Sequence, residues 1–266
     1  AVRGRHHLRG KSDESEPGFT LKPDPRPPVP DRIGGALRIL VLLLLAAPLA
    51  AQNARPALPP AQNIPAPGPA AAPGTPYAPQ PILPGGVVVP LYPPNSPLLK
   101  RERIHEAEKY NMSASVPGRI DSIVNIHYPS LEFHPTARGL NTGTAIIVAA
   151  GGGHRTLNVG SEAADVAHFL YQYGINTVIL RNRLRSDGYE PRTDAVRDAL
   201  QAIRIVRAYA KEWNLDPAKI GIMGFSAGAE LSAPAAVEYP STAADPADPF
   251  ASLSARPDFT VLVYPG

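Results

Sequence analysis

The chain has 266 residues, a formal net charge of +3 and no cysteine. Nine Lys+Arg stand against five Asp+Glu before Lys100, and 17 against 18 from there on, so the part able to fold carries no basic face for nucleic acid. Without cysteine there are no disulfides, no thiolate metal site and no catalytic thiol.

Residues 1–31 are polar, basic and proline-containing, without apolar periodicity, and read as disordered or as translated upstream sequence. Residues 32–51 have the grammar of a secretory signal. Arg32 and Arg38 precede the apolar run Ile39–Ala47, and Pro48-Leu49-Ala50-Ala51 places cleavage near Ala50 or Ala51. The alternative is an uncleaved N-terminal anchor, although nine apolar residues fall well short of the ~20 that a spanning helix needs. A secreted or periplasmic protein is expected, with no stable membrane span in its mature chain. Residues 52–97 hold 15 of the chain's 33 prolines. Proline removes backbone donors, so this stretch is expected to be an extended linker, with Gly85-Gly86-Val87-Val88-Val89 as a lone strand at its edge.

Residues 98–266 carry the pattern of a folded domain. Ile120–Ile126 and Ser130–Phe133 read as short strands, and Thr144–Ala149 as a strand buried on both faces. A helix is expected over Ser161–Tyr173, with Val166, Phe169, Leu170 and Tyr173 facing the core and Gly174 as its stop. Asn176–Leu180 is the next buried strand. A loop through Arg181, Arg183 and Arg185 follows, read mainly as solvated and otherwise as lining the cleft. Val196, Leu200, Ile203, Val206 and Ala210 recur at helical spacing within Asp194–Trp213. Strand Ile220–Met223, helix Ala229–Glu238 and a buried strand Phe259–Tyr264 complete the chain. This alternation predicts the α/β class: a mostly parallel sheet with helices on both faces.

Two motifs carry chemistry. Gly224-Phe225-Ser226-Ala227-Gly228 sits between an apolar strand and a run of small residues, as a nucleophile elbow requires. Ser226 is the candidate nucleophile, and a serine hydroxyl needs a base to take its proton. Gly151-Gly152-Gly153-His154 follows a buried strand. The bare N–H groups of Gly152 and Gly153, with that of Ala227, suit an oxyanion hole. A phosphate loop is disfavoured because no Gly-Lys-Ser/Thr follows. His154 is a candidate substrate contact or an orienter of the loop. Glu162 is placed to meet the helix dipole or hold the glycine loop. His127, His134 and His168 lack metal-like spacing and read as structural. No metal or cofactor is called for.

These residues resemble the α/β-hydrolase superfamily, and within it the secreted acetylxylan-esterase-like and feruloyl-esterase-like branch, over about Arg119–Gly266. The resemblance implies ester hydrolysis through an acyl-enzyme, on small-molecule or polysaccharide esters. It also implies a triad in the order Ser, Asp or Glu, His. No histidine follows Ser226, and Glu230, Glu238, Asp245, Asp248 and Asp258 precede the usual acid loop. The domain is therefore expected to be incomplete at its C-terminus, with the triad Asp and His not present in this chain. A secreted serine peptidase of the same fold, a non-catalytic binding protein and an inactive fragment stand as alternatives.

Overall fold

The computed structural model describes residues 55, 57–61, 71–72, 74–239 and 247–266. The expected signal at 32–51 and the segment 1–31 lie outside them. Five consecutive apolar residues, Ala145–Ala149, form a strand (β5) with every residue buried. Its parallel neighbours are Asn176–Arg181 (β6), again buried throughout, and Ile220–Phe225 (β7). Phe259–Val263 (β8) adds a fourth parallel strand beside β7. On the other side Ser130–His134 (β4) pairs antiparallel with β6, and Val87–Pro90 (β1) antiparallel with β4. The sheet order is β1-β4-β6-β5-β7-β8. A small antiparallel pair, Lys109–Met112 (β2) and Ile120–Val124 (β3), stands apart from it.

The alternation of side chains along β5 and β6 divides the core in two. Ile146, Val148 and Ile179 face Ala163, Ala164 and Leu170 near the helix Asp165–Tyr171 (α1). Ala145, Ile147, Val178 and Leu180 face the helices Val196–Ala208 (α2) and Ala227–Val237 (α3). From β5 the chain passes through α1 to β6 on one side, then through α2 to β7 on the other. The strand order therefore reverses at β5, and such switch points are where open α/β sheets hold ligands.

Several expectations need correction. Leu170 is buried and Val166 packs against the core as expected, but Phe169 and Tyr173 are 58% and 60% exposed, and Ala163 and Ala167 are buried in their place. The face against the sheet is lined by the small residues Ala163 and Ala167, α1 ends at Tyr171, and the ring centroids of Phe169 and Tyr173 lie 5.0 Å apart outside the core. The linker does not run to Pro97: Tyr77, Ile82, Leu91 and Tyr92 are buried, and β1 is a sheet strand. A proline-rich stretch cannot form its own core, yet it can lie on an existing one. Pro90 ends an edge strand, where a missing donor is tolerated, and the amides of Ile82 and Leu83 donate to the Glu132 carboxylate. Further upstream Leu58 packs against the core, and the Arg55 guanidinium meets Glu212 and the Ala208 carbonyl at the end of α2. Among the described residues β8 pairs with β7 alone, and Val261 and Leu262, expected to be buried, are 36% and 43% exposed.

Arg181 and Arg183 neither line a cleft nor face solvent. Arg181 is fully buried and bonded to Glu132 at 2.6 Å and Glu108 at 3.3 Å. Burial drives both carboxyls upward. For Glu132 the guanidinium and His134 outweigh that push and hold it below the usual range, whereas Glu108 stays above it. Arg183 forms an ion pair with buried Asp198 at 2.7 Å and lies over the rings of Tyr92 and Tyr189.

Candidate active site

The site lies at the carboxyl ends of β5 and β7. At the end of β7, Ser226 adopts φ 48° and ψ −120°, a conformation that few L-residues accept and that surrounding contacts must enforce. The enforcement is visible. The Ser226 amide donates to the Val263 carbonyl at 3.0 Å, tying the turn to β8. The Ser226 carbonyl accepts from Ala229 and Glu230, starting α3. Glycine is obligatory on both sides of the turn. A Cβ on Gly228 would lie 2.0 Å from the Ala149 carbonyl oxygen, and one on Gly224 would lie 2.2 Å from that of Gly228. The tight turn is thus pressed against the end of β5.

The glycine loop continues from that same end. A Cβ on Gly151 would lie 3.0 Å from the Ser226 Cβ, so loop and elbow are in contact. Gly152 (φ 129°) and Gly153 (φ 62°) have positive φ, and the Asn158 amide closes the loop onto the Gly151 carbonyl at 3.0 Å. Glu162 fixes the loop from below: its carboxylate accepts from the Gly151 amide at 2.6 Å and from the Tyr264 hydroxyl at 2.8 Å. With the Gly151 amide so occupied, those of Gly152, Gly153 and Ala227 donate to no protein acceptor among the described residues. The structure brings these three groups to the two adjoining strand ends, beside Ser226.

His154 (φ 58°) is buried and follows the glycines directly. Its Nε2 lies 2.9 Å from a Glu230 carboxylate oxygen on the first turn of α3, joining loop and elbow helix. Sequence reasoning missed Glu230 in this role because its partner is 76 residues away. No side chain is hydrogen-bonded to the Ser226 hydroxyl among the described residues. Three further histidines are held elsewhere: His127 by Tyr189 and Asn125, His134 by Glu132, and His168 by the Ala164 carbonyl. Beside the elbow a cleft of about 600 Å³ opens between the loop after β6 and the outer face of α3.

A glycine loop and a strained serine turn at the ends of adjacent parallel strands are the arrangement expected of the α/β-hydrolase fold. Residues 133–261 match the family model BD-FAE. An acetylxylan esterase of Xylanibacter ruminicola is 36% identical over 124 residues, which is 47% of this chain and 23% of that protein. Endo-1,4-beta-xylanase B of Butyrivibrio fibrisolvens is 27% identical over 166 residues, 62% of this chain and 24% of that one. Among solved structures, an acetyl ester-xyloside bifunctional hydrolase from Caldicellulosiruptor lactoaceticus superposes with a TM-score of 0.51 at 27% identity, covering 67% of this chain and 56% of the other. The chain has an α/β-hydrolase-type fold that resembles those of esterases, and its matches span about a quarter of the curated relatives' length.

Proposed function

We propose that this domain supplies the nucleophile and oxyanion hole of a serine carboxylic-ester hydrolase that acts through an acyl-enzyme. The observation that carries the reading is Ser226, held in a strained turn against a loop with unoccupied amides. In this reading the Ser226 hydroxyl attacks the ester carbonyl, and the amides of Gly152, Gly153 and Ala227 receive the charge that develops on oxygen. Such donors are worth about 2.7–4 kcal/mol of barrier each in favourable cases. The alcohol leaves, and water then cleaves the acyl-serine. A full rate requires a base to take the Ser226 proton. His154, engaged by Glu230, is not assigned that role. The names of the acetylxylan esterase and the ester-xyloside hydrolase favour acetylated polysaccharide or small acetyl esters as substrates.

A fluorophosphonate probe with mass mapping, together with release of 4-nitrophenol from its acetate, tests the reading. We expect covalent label on Ser226 and its loss in Ser226→Ala, with turnover falling by at least about 10³-fold where a base serves Ser226. A chain that turns over acetate equally well without the Ser226 hydroxyl sinks the proposal. An unlabelled, well-folded chain with no turnover favours the non-catalytic reading instead. Export by the 32–51 signal belongs to the same proposal. A mature N-terminus near Gln52 in the secreted protein supports it, and retention of residues 32–51 favours the anchor.

A further inference from the structure

The cleft beside the elbow has charged walls, and its ion pairs leave one cation over. Five charged or ionisable side chains line it: His154, Arg185, Arg192, Glu230 and Glu238. Four are matched. His154 meets Glu230 at 2.9 Å, and Arg192 meets Glu238 at 3.4 Å. The exposed Arg185 side chain lines the cleft without a hydrogen-bond or ion-pair partner among the described residues. Apolar surface from Pro191, Pro234 and Val237 completes the wall.

Arg185 is also carried on a fixed support. The next residue, Ser186, donates its amide to the His154 carbonyl at 3.3 Å and its hydroxyl to the Arg155 carbonyl at 2.8 Å, which stitches this loop to the glycine loop. Asp187 accepts from the Ile126 amide at 2.9 Å, and its own carbonyl accepts from Arg103. Gly188, at φ 86°, donates to the Arg185 carbonyl and closes the turn. The backbone beneath the guanidinium is therefore set before any ligand arrives, which lowers the ordering cost of binding. A planar guanidinium without a protein partner matches a carboxylate bidentately, and the surrounding charges are already neutralised in pairs.

We propose that Arg185 is an anion-recognising subsite, and that the cleft takes esters borne on an acidic sugar whose carboxylate the guanidinium binds. The substrate assignment rests on the esterase reading; the subsite itself is tested without turnover. The chain is titrated at constant ionic strength with methyl β-D-glucuronide and with methyl β-D-glucoside, followed by amide chemical shifts. We expect the glucuronide to bind about tenfold more tightly, the equivalent of about 1.4 kcal/mol for one charge-assisted contact. R185Q removes the difference and R185K keeps part of it. R155Q, which deletes a neighbouring exposed cation outside the cleft wall, leaves it intact. Equal affinity for the two glycosides, or a preference that survives in R185Q, overturns the subsite. Glucuronide binding by a chain whose Ser226 neither labels nor turns over upholds the subsite and fails the esterase reading alone.

Discussion

The guanidinium and carboxylate cluster on β4 and β6 and the glycine loop on β5 are both polar and lie on neighbouring strands, yet they are built on opposite principles. Around Arg181 the carboxylates of Glu132 and Glu108 and the carbonyl of Gln80 all accept from one cation, and Glu132 also takes the amides of Ile82 and Leu83. Around Ser226, Glu162 occupies the Gly151 amide and leaves the next two N–H groups without a protein acceptor. The first arrangement anchors the proline-rich segment to the sheet. The second leaves donors without an acceptor among the described residues, as the proposed oxyanion hole requires. Burial with partners reads as structure, and fixed donors without partners read as function.

Breaking the first arrangement should have the largest effect on folding. Arg181→Met leaves two buried carboxylates without their cation and should cost about 3–5 kcal/mol, read from the denaturant midpoint. A loss below about 1 kcal/mol would mean that water reaches the cluster. The second arrangement is broken by Glu162→Ala. We expect kcat for a small acetate ester to fall about tenfold with KM nearly unchanged, because the loop shifts relative to the reacting carbon. Glu162→Gln, which keeps an acceptor for the Gly151 amide, should recover part of that loss. Equal losses in both variants would make charge, rather than loop position, the active feature.

The smallest effect sharpens the boundary between the two. His127 is buried, and burial, aided by Arg103, lowers its pKa although Glu106 opposes the shift. The folded state therefore binds fewer protons than the unfolded chain just below the ordinary value of about 6.5. The stability contributed by neutral His127 is present above that value and is lost as pH falls from it through the lower folded value. His127→Gln should flatten this part of the stability–pH curve. An unchanged slope would place the acid sensitivity at another group.

Much of this was legible in the residues. The apolar run Thr144–Ala149 announced a central strand, and Gly224, Ser226 and Gly228 announced the turn, because the steric demands of both act over a few neighbouring positions. What depends on distant partners was not legible. Arg181 and Arg183 looked solvated because their acids, Glu132 and Asp198, lie 49 and 15 residues away. A hint existed at Glu132, which stands between Leu131 and Phe133, where an unpaired carboxylate would be costly. The helical face at Phe169 and Tyr173 was misplaced because the buried positions there include the small residues Ala163 and Ala167, which give a weaker apolar signal than the exposed aromatics. The docking of Arg55 and Leu58 leaves no periodicity to read.

The hydrogen bond from the Ser226 amide to the Val263 carbonyl also makes the elbow and β8 one thermodynamic system. The unfavourable φ of Ser226 persists only while its surroundings over-determine it, and one of those constraints comes from β8. Any ligand or partner that orders β8 therefore deepens the energy well in which Ser226 sits, and any that frays it lets the serine relax toward ordinary backbone angles. Reciprocity follows: a covalent group on Ser226 that depends on the elbow geometry should in turn slow hydrogen exchange along Phe259–Val263.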